Sequence, residues 1–377
     1  MSAPPSPTWD VAVFIGRMQP PHNGHLAMLR HALEAARQVV VVLGSAHQAR
    51  TPKNPFTWQE RQAMLHAALP EDERARVHFL PMRDFYDEAR WVQAVRSGVK
   101  QWARTHGAAS AASAASAGAA DAPPRIALVG HFKDASSAYL AQFPGWQLLD
   151  FPRQGQTDAT SVRDALFAAP DTPALAAALR PHVPEAVAQW LLQWRAGGER
   201  GRDENFAQLQ QEWQMLRDYR QSWAAAPYPP TFVTVDALVQ CQGRVLLVER
   251  GQLPGKGLYA LPGGFLEPRD TLWQSCLREL REETALALDE AAWRQALRGS
   301  RVFDHPDRSL RGRVVTQVFH FDLGYGEPPR VQGGDDARTA LWVPIDAIAA
   351  MPERFFDDHF FILDVLLQLT HQVTPQP

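Results

Sequence analysis

The run DVAVFIGRMQPPHNGHLAMLRHALEAARQVVVVLGSA, Asp10 to Ala46, decides how the first half of this chain folds. Asp10–Ile15 reads as a short buried strand. His25–Arg37 carries apolar residues at helical spacing, and Val39–Ala46 is again almost continuously apolar. Strand, helix and strand in that order imply a parallel βαβ unit. Between the first strand and the helix lies GRMQPPHNGH, Gly16–His25. Gly16 ends the strand and lets backbone approach a ligand closely. Pro20 and Pro21 stiffen the loop, while His22 and His25 stand at i and i+3, on one side of the first helical turn. A helix N-terminus carries orphan N–H groups and partial positive charge, so it attracts anions. Two imidazoles there can donate to phosphate oxygens, and Gly24 leaves room for a nucleotide beside them.

A further buried strand, RIALVG at Arg125–Gly130, extends the same open α/β sheet, whose ligands gather at the carboxyl ends of its strands. Basic segments fall at those ends. They are GSAHQARTPKNPFTWQER (Gly44–Arg61), GHFKD (Gly130–Asp134) and TDATSVR (Thr157–Arg163), the last opening a helix. Two histidines at this spacing would more often be surface or core residues if they stood alone. Their coincidence with these segments favours phosphate handling. Gly107–Pro124, GAASAASAASAGAADAPP, is dominated by small residues and reads as a flexible insertion within the first domain, with a weak Ala-rich helix as the alternative.

These motifs together resemble the HxGH nucleotidyltransferases, and more narrowly the nicotinamide mononucleotide adenylyltransferases of archaeal type. GRMQPPHNGH, NPFTWQER, GHFKD and ATSVR all match that family, over about half the chain. The resemblance implies a doubly wound, Rossmann-like parallel sheet. It also implies adenylyl transfer from ATP to nicotinamide mononucleotide, giving NAD and pyrophosphate, with Mg²⁺ bridging the ATP phosphates. His22, His25, Arg17 and Arg163 are then expected on the triphosphate, since an arginine fork suits phosphate. Gly16, Gly24, Asn54, Gly130, Lys133, Asp134 and Thr160 are expected to shape the nucleotide pocket. Trp91 in DFYDEARW would stack on the nicotinamide ring, although a plain core tryptophan fits that position nearly as well. Asp158 departs from the family, which often has Ser there. A carboxylate would repel triphosphate unless it turns away to cap the following helix.

The second half centres on GGFLEPRDTLWQSCLRELREETAL, Gly263–Leu286. Asp270 and Thr271 are good helix-starting residues. Leu272, Cys276 and Leu280 step by four toward a core, while Glu279, Glu282 and Glu283 share another face. Like charges at that spacing repel by a few tenths of a kcal/mol, roughly. A hard divalent cation reverses that cost, and oxygen ligands suit Mg²⁺ or Mn²⁺. RELREE alone would describe a solvated charged face. With its flanking glycines the pattern resembles the Nudix box. Gly264, Arg278, Glu279, Leu280, Glu282, Glu283 and Leu286 match, Asp270 replaces the first glutamate, and Ala285 replaces the later glycine. Ala285 is expected to carry strain if that site needs left-handed backbone. The resemblance implies metal-dependent hydrolysis of a nucleoside diphosphate derivative by an α+β domain. Glu279, Glu282 and Glu283 would be the metal ligands, and Glu282 a candidate for proton transfer. Phe303–Phe321, Val331–Pro344 and Phe355–Leu363 point to the ADP-ribose pyrophosphatase branch, with AMP and ribose 5-phosphate as products.

The totals agree with a chain of more than one globular domain. The 377 residues suggest two or three domains, and 45% hydrophobic with 21% charged residues is ordinary globular composition. A net charge of -3 offers no basic field for nucleic acid. Cys241 and Cys276 form no CxxC and are expected buried. MSAPPSPTWD is not built like a signal peptide, and no apolar run is long enough to span a membrane, so a cytoplasmic location is expected. The expected domains are 1–185 and 228–377, joined by a helical linker at 186–227 that GGERGRDEN interrupts and AAAPYPP ends. Both halves match the known fusion of the adenylyltransferase with a Nudix domain. Two alternatives stay open. The Nudix half could be a non-catalytic ligand sensor or act on another nucleoside diphosphate derivative, and the first half could transfer a cytidylyl or a different adenylyl group. A homo-oligomer is compatible with the sequence.

Overall fold

A computed structural model describes residues 7–111, 123–131, 135–152, 157–197 and 203–370. The chain divides into two compact units, residues 1–47 with 52–207, and residues 48–51 with 208–377.

In the first unit, β1 (Trp9–Gly16), β2 (Ala36–Leu43), β3 (Val77–Pro81), β4 (Ile126–Gly130) and β5 (Gln147–Asp150) form one sheet in the order β3-β2-β1-β4-β5, every neighbour parallel. The helices are α1 (Asn23–Ala35), α2 (Trp58–Ala68), α3 (Glu71–Arg74), α4 (Glu88–Ala111), α5 (Ala159–Ala168), α6 (Thr172–Leu179), α7 (Glu185–Arg195) and α8 (Asp203–Ser222), the last running into the second unit. Strand alternation sorts the core to two faces. Ala12, Phe14, Val39 and Val41 pack with Leu26, Leu29 and Leu33 of α1, whereas Val11, Val13, Val40 and Val42 pack with Val92, Val95 and Val99 of α4. Helices on both faces make the sheet doubly wound, and its order reverses between β1 and β4, where such sheets leave a crevice.

The sequence periods place these elements to within a few residues. β2 begins at Ala36 because that residue pairs with Trp9, so sheet pairing takes Ala36 and Arg37 from the expected helix. It ends at Leu43, and Gly44–Ala46 leave the sheet. Helix α4 runs to Ala111, into the low-complexity stretch, of which residues 112–122 lie outside the described residues.

The second unit is built on β6 (Thr231–Cys241), β7 (Arg244–Arg250), β8 (Tyr259–Ala260), β9 (Gly263–Phe265), β10 (Leu297–Phe303), β11 (Arg313–Asp322) and β12 (Ala337–Pro344). The order is β10-β11-β6-β7-β12, with β8 on β7 and β9 on β6. Only β6 and β11 pair in parallel among these strands. Helices α9 (Leu272–Thr284), α10 (Glu290–Ala296), α11 (Ile345–Ile348) and α12 (His359–Leu367) complete it. Val235, Ala237, Val239 and Leu246 meet Cys276, Leu280 and Trp293, and on the other face Leu238, Val245 and Leu247 meet Ile362 and Leu363. The expected stretch 186–227 is shared between the units. Trp194 of α7 packs on Phe56 in the first, and the Glu212 carboxylate of α8 accepts the Gly255 N–H in the second.

Helix α9 is closed at both ends. Thr271 caps its start, its Oγ1 accepting the Gln274 N–H while the Gln274 side chain accepts the Thr271 N–H. At its end Ala285 sits at φ 54, ψ 13, the left-handed conformation that glycine takes without cost. Ala285→Gly should therefore stabilise the second unit by about 1 kcal/mol, the left-handed penalty less the extra freedom of glycine in the unfolded chain. A shift of its urea midpoint to higher concentration would register this, and an unchanged or lower midpoint would refute it.

Candidate active sites

A cavity of about 340 Å³ opens at the carboxyl ends of β1 and β4. Arg17, His22, Gly24, His25, Gly130, Thr160 and Arg163 all line it. The two imidazoles stack with centroids 3.7 Å apart, and the His22 N–H donates to His25 Nδ1 at 3.3 Å. Burial, with His22 beside it, pushes the His25 pKa well below its ordinary value. His25 is thus neutral at pH 7, so of the two donors the spacing suggested, this one is an uncharged imidazole stacked on its neighbour. Because Nδ1 accepts, the ring proton belongs on Nε2. Positive charge comes instead from Arg17 and Arg163. Arg163 donates to Gln19 O at 2.7 Å and to Thr160 Oγ1 at 3.1 Å. Burial, and then the charge of Arg17, lowers its pKa to about 10, which leaves it protonated at neutral pH. Gly16 sits tightly, since a Cβ there would stand 3.1 Å from Met18 Cε. Asp158 resolves as a cap, accepting the Ser161 N–H at 2.8 Å at the start of α5.

Other expected residues sit elsewhere. Trp91 packs edge-on against Tyr139 at 5.3 Å and Phe143 at 6.2 Å, so it supports the cavity wall without lining the cavity. Asn54 is not among the lining residues, but its neighbour Lys53 is. Lys133 and Asp134 lie outside the described residues.

In the second unit, Gly263 and Gly264 lie directly over α9. The Gly263 N–H donates to Glu283 Oε2 at 3.0 Å, and a Cβ on Gly264 would stand 2.5 Å from Glu279 Oε1. Burial pushes the Glu283 carboxyl up to about 8, with the charge of Glu279 adding to the rise and the Gly263 N–H opposing it. Glu279 is raised as well, chiefly by burial, against the pull of Arg278. Arg278 binds Glu279 at 2.8 Å and Glu282 at 2.6 Å, and lies 3.5 Å from Asp270, so Asp270 still reaches the box arginine. The three glutamates do not converge in advance. Among the described residues no group of three or more His, Cys, Asp or Glu stands ready to hold a metal. The donors nevertheless suit a hard divalent cation, because two buried carboxylates disfavour their own ionisation and a cation relieves both burial and repulsion.

Residues 13–107 match the cytidylyltransferase-like family, and residues 229–363 match the NUDIX domain. A nicotinamide/nicotinic acid mononucleotide adenylyltransferase of Acinetobacter baylyi is 36% identical over 162 residues, 42% of this chain and 76% of that one. An ADP-ribose pyrophosphatase of Methanocaldococcus jannaschii is 35% identical over 134 residues, 36% of this chain and 72% of that one. The crystal structure of a bifunctional NMN adenylyltransferase/ADP ribose pyrophosphatase from Francisella tularensis, complexed with AMP and a manganese ion, matches with TM-score 0.81 and 30% identity, over 96% of this chain and 99% of that one. The chain belongs to this bifunctional family. As a member of it, the protein carries functional candidates that sequence reasoning passed over. Lys53 was hidden inside the quoted Gly44–Arg61 segment, where being basic and beyond a strand end was its one signal. Arg311 lay inside the Phe303–Phe321 segment with nothing to single it out, and Arg250 had no signal. The Arg250 guanidinium lies 4.2 Å from the Phe356 ring centroid with its charge reaching Glu283, and Arg311 lies 4.9 Å from that of Phe265.

The neutral His25 has a consequence for stability. Unfolded, it protonates near 6.5, while the folded chain refuses the proton. The first unit should lose stability as pH falls from 7 to 5, and His25→Gln should lose less over the same interval. Melting temperatures at both pH values test this; parallel declines in the two proteins would contradict it.

Proposed function

We propose that the first unit joins ATP and nicotinamide mononucleotide into NAD and pyrophosphate, and that the second hydrolyses ADP-ribose to AMP and ribose 5-phosphate. The observation that carries this reading is one chain holding both a cavity flanked by Arg17 and Arg163 at a sheet switch point and a box helix whose buried glutamates lie under paired glycines. Whole-length likeness to the Francisella protein supports both halves together.

In adenylyl transfer the phosphate oxygen of nicotinamide mononucleotide forms a bond to the α-phosphorus of ATP as the bond to the β-phosphate oxygen breaks, and pyrophosphate leaves. Such transfer asks the protein for in-line positioning and for charge stabilisation. Arg17 and Arg163 supply the fixed positive charge, with Lys53 on the same cavity. Neutral His25 offers Nε2–H to a phosphate oxygen and takes no proton in the step. His22 holds that tautomer through its main-chain N–H. Mg²⁺ arrives with ATP as part of the substrate.

In the second unit Glu279, Glu282 and Glu283 would hold Mg²⁺ or Mn²⁺. When bound, such a cation neutralises pyrophosphate charge and lowers the pKa of water. Arg278 orients Glu279 and Glu282, and the Gly263 N–H orients Glu283. Glu282, the most exposed of the three at 43%, is the candidate to accept a proton from attacking water. The protein works in the cytoplasm in this reading.

Two assays on one preparation test the assignment. ATP, Mg²⁺ and nicotinamide mononucleotide should yield NAD, and Arg163→Ala should lower that rate at least about 10²-fold, the usual cost of removing one preorganised charge-stabilising donor. ADP-ribose should yield AMP, and Glu282→Gln should abolish this while sparing NAD synthesis. Turnover only with a different phosphate acceptor would reject the first assignment, and loss of both activities in Glu282→Gln would reject separate sites.

A further inference from the structure

Arg61 of α2 is 0% exposed, an unusual place for a guanidinium. It donates to four main-chain carbonyls. Nη1 reaches Arg17 O and, at 2.7 Å, Gly44 O; Nη2 reaches Ser45 O at 3.4 Å; Nε reaches Thr57 O at 3.3 Å. Arg17 and Gly44 are the first residues beyond β1 and β2, where sheet partners end and carbonyls need other donors. Left-handed residues stand at the same place. Met18 has φ 53 and Ser45 has φ 49, each costing about 1–2 kcal/mol for a side chain other than glycine. Such strain persists only when the surroundings over-determine it.

The strained loop carries the cationic machinery. Arg17 lies in it, and Arg163 donates to the carbonyl of Gln19. Gln19 is gripped again by Phe56, its Nε2 donating to Phe56 O at 2.8 Å and its Oε1 accepting the Phe56 N–H at 3.0 Å. Besides the Arg163 bond, Arg17 and Gln19 are tied back to residues 56–61, through the guanidinium on one side and the glutamine on the other.

We propose that Arg61 is a positioning residue for adenylyl transfer, clamping the two strand-end loops so that Arg17 and Arg163 meet the reacting phosphates in alignment. This rests on the adenylyltransferase reading of the first unit. Arg61 touches no substrate. It lines none of the cavity, and its planar guanidinium serves four carbonyls from three nitrogens, where an ammonium has three donors on one. A loosened loop keeps its charge near the triphosphate, so ground-state attraction survives. What it loses is alignment with charge that develops during the transfer.

The test compares wild type with Arg61→Lys, which keeps a buried cation, and Arg61→Gln, which keeps a planar donor without charge. Rates are taken below the unfolding transition and normalised to folded protein by circular dichroism. Both variants should lose about 10²-fold in kcat for NAD synthesis, the cost of misplacement by roughly an ångström, with KM for ATP changed less than about threefold. ADP-ribose hydrolysis by the same samples should match wild type, and either variant alone suffices if the other does not fold. A normalised kcat within about threefold of wild type, or a loss appearing in KM with kcat preserved, overturns the proposal. A wild type that makes no NAD overturns the underlying reading instead.

Discussion

Two glycines leave no side chain between β9 and α9, and into that gap go the carboxylates of Glu283 and Glu279. Burial raises both groups, the charge of Glu279 adding to the rise at Glu283 and those of Glu282 and Asp335 adding to the rise at Glu279. Much of the second unit answers this one crowding. The capped start of α9 sets the helix register, Cys276 and Leu280 anchor its opposite side in the core, and Arg278 spans Asp270, Glu279 and Glu282 to share out the negative charge. Arg250, laid on the Phe356 ring, brings a further positive charge toward Glu283 from β7.

The two units handle phosphoanhydride charge in opposite ways. In the proposed reading the first meets it with protein cations, Arg17 on a strained loop and Arg163 on α5, while His25 stays neutral. The second gathers anions that call for a cation from outside. Neither arrangement depends on the fold alone, since a doubly wound sheet supplies only a crevice and a helix supplies only a spacing. What turns these into sites is burial, which makes a neutral imidazole of His25 and a reluctant acid of Glu283.

Much of this was legible in the sequence because it rests on local periods. The apolar runs at Asp10–Ile15 and Val39–Ala46 located β1 and β2, and the step of four through Leu272, Cys276 and Leu280 located the buried side of α9. Asp158 as a cap and Ala285 as a left-handed residue were readable too, since both depend on neighbours in the chain. Burial and long-range contact were not readable. Spacing alone made His22 and His25 a pair of donors, and only enclosure in the cavity wall shows that His25 is neutral. Trp91 read equally as a stacking residue or a core tryptophan, because its packing with Tyr139 and Phe143 is set by elements far apart in sequence. Neither Arg250 nor, within Phe303–Phe321, Arg311 could be singled out, because arginines in strand and loop look alike until aromatic rings are found beneath them.

The parallel pairing of β6 with β11 also bears on how the protein is made. Thr316 and His320 of β11 bond to Asp236 and Gln240 of β6 across a separation of 80 residues, and Asp236 is buried. During synthesis β6 leaves the ribosome well before its neighbour exists, so the middle strand of the second unit waits as an open edge with a carboxylate that has not yet met its threonine. The first unit, whose β1 and β2 are joined by a single helix, has no such wait between those two strands, and the order of the domains along the chain lets that pairing form while the later one is still being translated.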